Sequence, residues 1–164
     1  MPTPAPVVIR AYAKINLDLK IGGLLPDGYH DVRTVLQSVA LHDTLTLTAV
    51  PGPFTIACDH PAVPTDARNL IWRAASLLQA LRSDHANPPK GVHVRLQKRI
   101  FAEAGLGGGS SNAAATLVAL SRLWDLSLDL PTLSRIAAAR GVAADRTTDL
   151  AGRDRQAAVW RIDR

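Results

Sequence analysis

From Gly91 to Trp124 the chain reads as a strand pattern, a glycine cluster and an alanine-rich helix pattern, and this run constrains the fold more than any other. Gly91–Ile100 alternates Val92, Val94 and Leu96 with His93, Arg95 and Gln97, the period of a half-buried strand. From Ser110 the residues Ser-Ser-Asn-Ala-Ala-Ala-Thr-Leu-Val-Ala-Leu-Ser-Arg-Leu-Trp have helical spacing and several strong helix formers. Ser110, Ser111 and Asn112 are expected to cap that helix. Gly105, Gly107, Gly108 and Gly109 lie between the two. So many glycines carry a large backbone entropy cost, tolerated where backbone must approach a ligand or adopt positive φ. A glycine loop feeding a helix N-terminus offers free N–H groups and the positive end of the helix dipole to a phosphate. The alternative is a bare tight turn; the strand before the loop and the Ser-Ser-Asn after it favour the phosphate. No Lys-Ser/Thr follows the last glycine, which excludes a Walker A loop. The glycine spacing also excludes a dinucleotide fingerprint.

Elsewhere the pattern predicts strands early and helices late. Val7–Tyr12 and Ile15–Ile21 read as two strands. In the second, Ile15, Leu17, Leu19 and Ile21 fall on one face and Asn16, Asp18 and Lys20 on the other, so Lys14 shares a polar face with Asn16. Gly22–Gly28 is a turn cluster. Tyr29 and His30 follow it, either as a pair that stacks on and hydrogen-bonds a flat base, or as a packed Tyr beside a solvated His. Val32–Ala40 fits a strand or irregular helical turns equally. Thr44–Val50 and Phe54–Cys58 flank Pro51-Gly52-Pro53 and are expected to form a hairpin. Asn69 caps a helix over Leu70–Leu81, with Trp72 directed to the core or, as the lesser alternative, beside the nucleotide loop. Pro131 starts a last helix over Leu133–Arg140. The expected class is α+β, a twisted mixed sheet with helices packed mainly on one face.

The 164 residues suffice for one domain with a core. A net charge of +5 permits nucleotides, diphosphates or nucleic acid as partners. No Lys/Arg block carries interleaved aromatics, which argues against nucleic acid. No apolar run is long enough to span a bilayer, and Met1–Pro6 lacks the basic start and apolar core of a secretory signal. Cys58 is the single cysteine, which fits a reducing cytoplasm and reads as an inert buried thiol. His and Cys show no metal-ligand spacing.

Three motifs together carry a resemblance. Gly-Leu-Gly-Gly-Gly-Ser-Ser-Asn-Ala-Ala, beginning at Gly105, resembles the phosphate-binding motif of the GHMP kinases. Ala11-Tyr12-Ala13-Lys14-Ile15-Asn16-Leu17-Asp18-Leu19 and Asp27-Gly28-Tyr29-His30-Asp31 resemble, within that superfamily, the 4-diphosphocytidyl-2-C-methyl-D-erythritol kinase family of non-mevalonate isoprenoid biosynthesis. The order and separation of the motifs match over about Arg10 to Ala139. Phe101 stands where the family usually has proline. The resemblance implies the GHMP N-terminal domain, whose mixed sheet also recurs among ribosomal proteins. It further implies ATP and Mg²⁺ as cofactors and a small-molecule acceptor whose 2-hydroxyl receives the γ-phosphoryl group. Residues 101–111 would form the ATP loop: Phe101, Ala102, Glu103, Ala104, Gly105, Leu106, Gly107, Gly108, Gly109, Ser110 and Ser111. Ser111 would help hold Mg²⁺. Lys14 falls on the catalytic lysine, and Asn16, Tyr29 and His30 on substrate-binding positions, the last two on the cytidine.

From about Gly141 the motif pattern stops. The family continues with Gly-Ala/Ser-Asp-Val-Pro-Phe, whose aspartate is the general base. Here Asp145 lies nearest that place, with no Val-Pro-Phe after it, in an Arg/Asp/Ala-rich stretch without period-2 or 3.6 patterning. Residues 1–140 are therefore expected to form the nucleotide-binding domain. Residues 141–164 are expected to be an atypical, disordered or frameshifted tail, and the chain a truncated form without turnover; the competing explanation is a divergent short homologue with its own C-terminus. An inactive nucleotide-binding remnant and, by fold analogy alone, a small basic RNA-binding module are the alternatives to a kinase.

Overall fold

The computed structural model describes residues 5–24, 30–81 and 91–139. Along the chain come β1 (Val7–Leu24), β2 (His30–Val50), β3 (Thr55–Cys58), α1 (Leu70–Leu81), β4 (Gly91–Gln97), α2 (Gly108–Leu123) and α3 (Leu130–Ala139). The class is α+β, as expected. The sheet order is β1-β2-β4-β3, antiparallel except for the parallel pair β3 and β4.

Alternation decides which face is covered. Ile9 and Ala11 of β1, Leu45 and Leu47 of β2, and Val92, Val94 and Leu96 of β4 are buried in one cluster. Onto them pack Ala113, Leu117 and Leu120 of α2 and Ile71, Ala74 and Leu78 of α1. The intervening threonines of β2 stay half-buried on the opposite face. Removing this apolar surface from water is the main favourable term holding helices to sheet.

Three expectations need correction. First, β1 is one strand, paired with β2 along its length, with register shifts after Tyr12, Asn16 and Ile21. A bulge turns the residues beyond it to the other face. Asn16 pairs with Leu36 and Asp18 with Val35. The extra residue, Leu17, therefore puts Leu19 and Ile21 on the side of Asn16 and not opposite it. Lys14 and Asn16 do share a face. Past Lys14 the β1–β2 ribbon leaves the covered sheet, and Leu17, Leu19, Ile21, Leu24 and Val35 are exposed.

Second, Thr44–Val50 and Phe54–Cys58 form no hairpin. β4 lies between them, antiparallel to β2 and parallel to β3. Gly52 has φ +101°, and a Cβ on Gly91 would fall 1.8 Å from the Gly52 carbonyl oxygen. The Pro51–Pro53 corner thus seats the start of β4 against its own backbone and carries β3 past it. Parallel neighbours need a crossover, and here α1 supplies it. Third, the ambiguous stretch 32–40 is strand, part of β2.

Asn69 caps α1 as expected. Its Oδ1 accepts the Ile71 N–H at 2.9 Å, and its Nδ2 donates to the Pro64 carbonyl at 2.6 Å. Trp72 packs against the core, edge-on to Phe54 with ring centroids 5.4 Å apart. Asp129 opens α3, its Oδ1 accepting the Thr132 N–H at 2.9 Å.

Candidate functional site

β4 ends beneath the loop. Ile100 is buried, and the chain then turns outward through the exposed residues Phe101, Ala102, Glu103, Ala104 and Gly105. Phe101, the residue in place of the family's proline, is 73% exposed. Glu103, Gly105 and Gly107 have φ of 58°, 72° and 71°, in the left-handed region. That region costs a side-chain-bearing residue roughly 1–2 kcal/mol, which is one reason for glycine here. Contact is the other: a Cβ on Gly107 would lie 3.1 Å from Lys14 Cγ.

Gly107 is the N-cap of α2 and makes no side-chain capping bond. This corrects the expectation that Ser110, Ser111 and Asn112 cap the helix: they lie inside it, and Gly108 and Gly109 form its start. The Ser111 N–H donates to the Gly107 carbonyl at 2.9 Å. The N–H groups of Gly108, Gly109 and Ser110 precede that bond and have no acceptor within the helix. Three amides at the positive end of a helix dipole, with no side-chain capping bond from Gly107, suit a phosphate.

Lys14 is built into the loop. Its backbone N–H donates to the Leu106 carbonyl at 3.0 Å, and its side-chain stem lies against Gly107. Its Nζ donates to Asn16 Oδ1 at 2.8 Å. Ser111 fastens the other side, its hydroxyl donating to the Tyr12 carbonyl at 2.8 Å. The fold thereby brings together Lys14 and Asn16 from one motif and residues 105–111 from another, nearly a hundred positions apart.

Beneath the helix start is a buried polar knot that pattern reading missed. Asp43 is fully buried on β2. Its Oδ1 accepts the Arg99 N–H at 2.6 Å and the Ile100 N–H at 2.8 Å. Its Oδ2 accepts from Asn112 Nδ2 at 2.9 Å and meets Lys98 Nζ at 3.1 Å. Lys98 Nζ also donates to the Ile100 carbonyl. A Cβ on Gly108 would come within 3.0 Å of Ile100 Cγ2 and 3.4 Å of Lys98 Nζ. One carboxylate therefore ties β2, the end of β4 and the first turns of α2 together, and fixes where the loop's amides point. The available signal was parity: Asp43 is in phase with Leu45, Leu47 and Ala49, all core positions.

Tyr29, Asp145 and the His30 side chain are outside the described residues; the His30 backbone begins β2 and pairs with Leu24. Cys58 is half-buried, and burial pushes its thiol up from the ordinary value against the lowering effect of the His60 N–H. Among the described residues, no group of three or more His, Cys, Asp or Glu is placed to hold a metal ion, and no helix is long and apolar enough to cross a membrane. The Ser111 hydroxyl spends its proton on the Tyr12 carbonyl, so its oxygen lone pairs would fit a cation such as Mg²⁺.

The family described as GHMP kinases N terminal domain matches residues 69–159, from the α1 cap through the glycine loop and beyond α3. A 4-diphosphocytidyl-2-C-methyl-D-erythritol kinase of Synechococcus sp. (strain JA-3-3Ab) is 48% identical over 131 residues, 80% of this chain and 41% of the relative. The kinase of the same name from Gloeobacter violaceus is 46% identical over 135 residues, 82% of this chain and 43% of the relative. A crystal structure of 4-(cytidine 5'-diphospho)-2C-methyl-D-erythritol kinase superposes with a TM-score of 0.63 at 38% identity, covering 84% of this chain and 46% of that one. The chain thus spans about two-fifths of the length of the curated relatives it matches. With its glycine loop opening α2, its lysine laid along that loop and a family match over more than half its length, the chain belongs to the GHMP kinase family.

Proposed function

We propose that this chain carries the nucleotide side of an ATP-dependent small-molecule kinase whose acceptor is the 2-hydroxyl of 4-diphosphocytidyl-2-C-methyl-D-erythritol, acting in the cytoplasm. The observation that carries the reading is the position of Lys14, whose stem touches Gly107 at the open N-terminus of α2. Phosphoryl transfer asks the protein mainly for positioning and charge stabilisation. The amides of Gly108, Gly109 and Ser110 hold phosphate oxygens. The Lys14 ammonium, held beside them, meets charge that builds on the transferred group. Asn16, Tyr29 and His30 take the acceptor and its cytidine, and Asp145 receives the hydroxyl proton. Ser111 would hold Mg²⁺ together with the nucleotide, and the ion would neutralise phosphate charge.

Calorimetry with ATP and a transfer assay with the cytidylyl acceptor test this on the wild-type chain and on Lys14→Ala. An interaction stronger in the transition state than in the ground state changes turnover more than binding. Losing one such contact costs roughly a hundredfold to a thousandfold in kcat. The expected result is ATP affinity retained in Lys14→Ala and any phosphoryl transfer by the wild-type chain lost; ordinary turnover by the wild-type chain would overturn the expectation of a truncated form without it. No ATP binding by the folded wild-type chain refutes the reading.

A further inference from the structure

Next to Lys14 a hydrogen-bond chain crosses the β1–β2 ribbon to Thr34, a residue that no motif marks. Thr34 pairs with Leu19 across the ribbon, two residues along β2 from Leu36, the partner of Asn16. It therefore shares a face with Asn16. The Thr34 hydroxyl donates to the Asp18 carbonyl at 2.6 Å, beside the bulge at Leu17, and accepts from Asn16 Nδ2 at 2.7 Å. Asn16 Oδ1 accepts from Lys14 Nζ at 2.8 Å.

Proton counting fixes the direction of this chain. A hydroxyl has one proton, and Thr34 spends it on a carbonyl that can only accept. Toward Asn16 it must accept. A lysine ammonium has donors and no acceptor, so Asn16 must meet Lys14 with its oxygen. Both ends demand the same orientation of an amide whose two heads have nearly the same shape.

We infer that Thr34 is a positioning residue of the site: it sets the polarity of the Asn16 amide and, through that amide, the direction of the Lys14 ammonium. The inference rests on the proposed role of Lys14 in phosphoryl transfer. It also names the chemistry this corner takes. Asn16 keeps a second amide N–H, and the group that it holds is an oxygen acceptor, a hydroxyl or phosphate oxygen.

Thr34→Val removes the hydroxyl at nearly constant shape on a ribbon outside the core, and Thr34→Ser restores it. Three readouts are taken on the full chain: Lys14 side-chain order from ¹³Cε relaxation, ATP affinity, and kcat against KM for the acceptor. Thr34→Val should lower Lys14 order and reduce kcat by roughly five- to tenfold, the worth of about one hydrogen bond, with ATP affinity within about twofold of wild type; Thr34→Ser should recover both. Unchanged Lys14 order in Thr34→Val, or no recovery in Thr34→Ser, overturns the inference. The relaxation readout needs no turnover. A folded wild-type chain that binds no ATP refutes the kinase reading, while loss of Lys14 order in Thr34→Val alone still supports the positioning role.

Discussion

Replacing Asp43 by Asn tests whether the buried knot holds the glycine loop. The carboxylate faces only donors: the N–H groups of Arg99 and Ile100, Asn112 Nδ2 and Lys98 Nζ, between 2.6 and 3.1 Å away. An amide has one oxygen. Whichever way it turns, its NH₂ points at two donors. Lys98, with its side chain only 8% exposed, is left with its charge uncompensated. Breaking a buried pair from one side costs about 3–5 kcal/mol. Stranding a buried backbone N–H costs about 1–3 kcal/mol. These losses share atoms and do not add, so about 3–5 kcal/mol is expected in all, or a fall in Tm on the order of 10 °C for a chain of this length. Thermal and urea unfolding measure it. Adding Lys98→Met should recover part of the loss, because removing both charges of a buried pair costs less than removing one. A single-variant loss below about 1 kcal/mol, or strict additivity with Lys98→Met, would show that the knot is not coupled as its geometry implies.

Two further predictions follow from local geometry. Gly108→Val should abolish ATP binding while circular dichroism stays unchanged: Gly108 is helical, so backbone strain is not the cause, and the new Cβ instead meets Ile100 Cγ2 at 3.0 Å and displaces the first turn of α2. Retained calorimetric affinity would mean that the amides do not hold the phosphates. The Asp129 carboxyl is held below its usual value by hydrogen bonds from the Thr132 hydroxyl and N–H, and that of Asp66 is held at about 2 by the Arg68 guanidinium. A folded pKa below the unfolded one contributes stability above the unfolded value, about 3.9, and the contribution disappears as pH falls through the folded value. Melts should therefore lose Tm below about pH 4, and Asp129→Asn should flatten that slope; an unchanged slope would remove the α3 cap from the acid response.

Local pattern carried much of the fold. Val92, Val94 and Leu96 alternate with polar residues and form β4; Asn69 precedes an apolar-periodic run and caps α1. What failed was pairing between distant segments. Nothing near Phe54–Cys58 says that its neighbour is β4 and not β2, because that choice is made by the Gly52–Gly91 contact and by the length of α1. Nor does β1 announce its bulges. An extra residue at Leu17 leaves the composition unchanged and reverses which side Leu19 and Ile21 occupy.

The site divides the same way. Lys14 and the glycine loop are legible because each motif is contiguous, although their meeting at Gly107 is visible only in three dimensions. Asp43 and Thr34 belong to no motif. Asp43 accepts from Arg99, 56 positions away, and Thr34 acts on Lys14 through a side chain on another strand. Yet Asp43 breaks a rule that can be read locally. In His42-Asp43-Thr44-Leu45-Thr46-Leu47-Thr48-Ala49 a carboxylate occupies the phase of the buried face. An ionised side chain there is stable only if donors come to it, and Lys98 with two following backbone N–H groups, at the end of the strand beside β2, supplies them. A charge in phase with the core of one strand and a lysine just past the end of the next predict a buried pair between them. Here that pair stands under the helix start where the phosphates are proposed to bind.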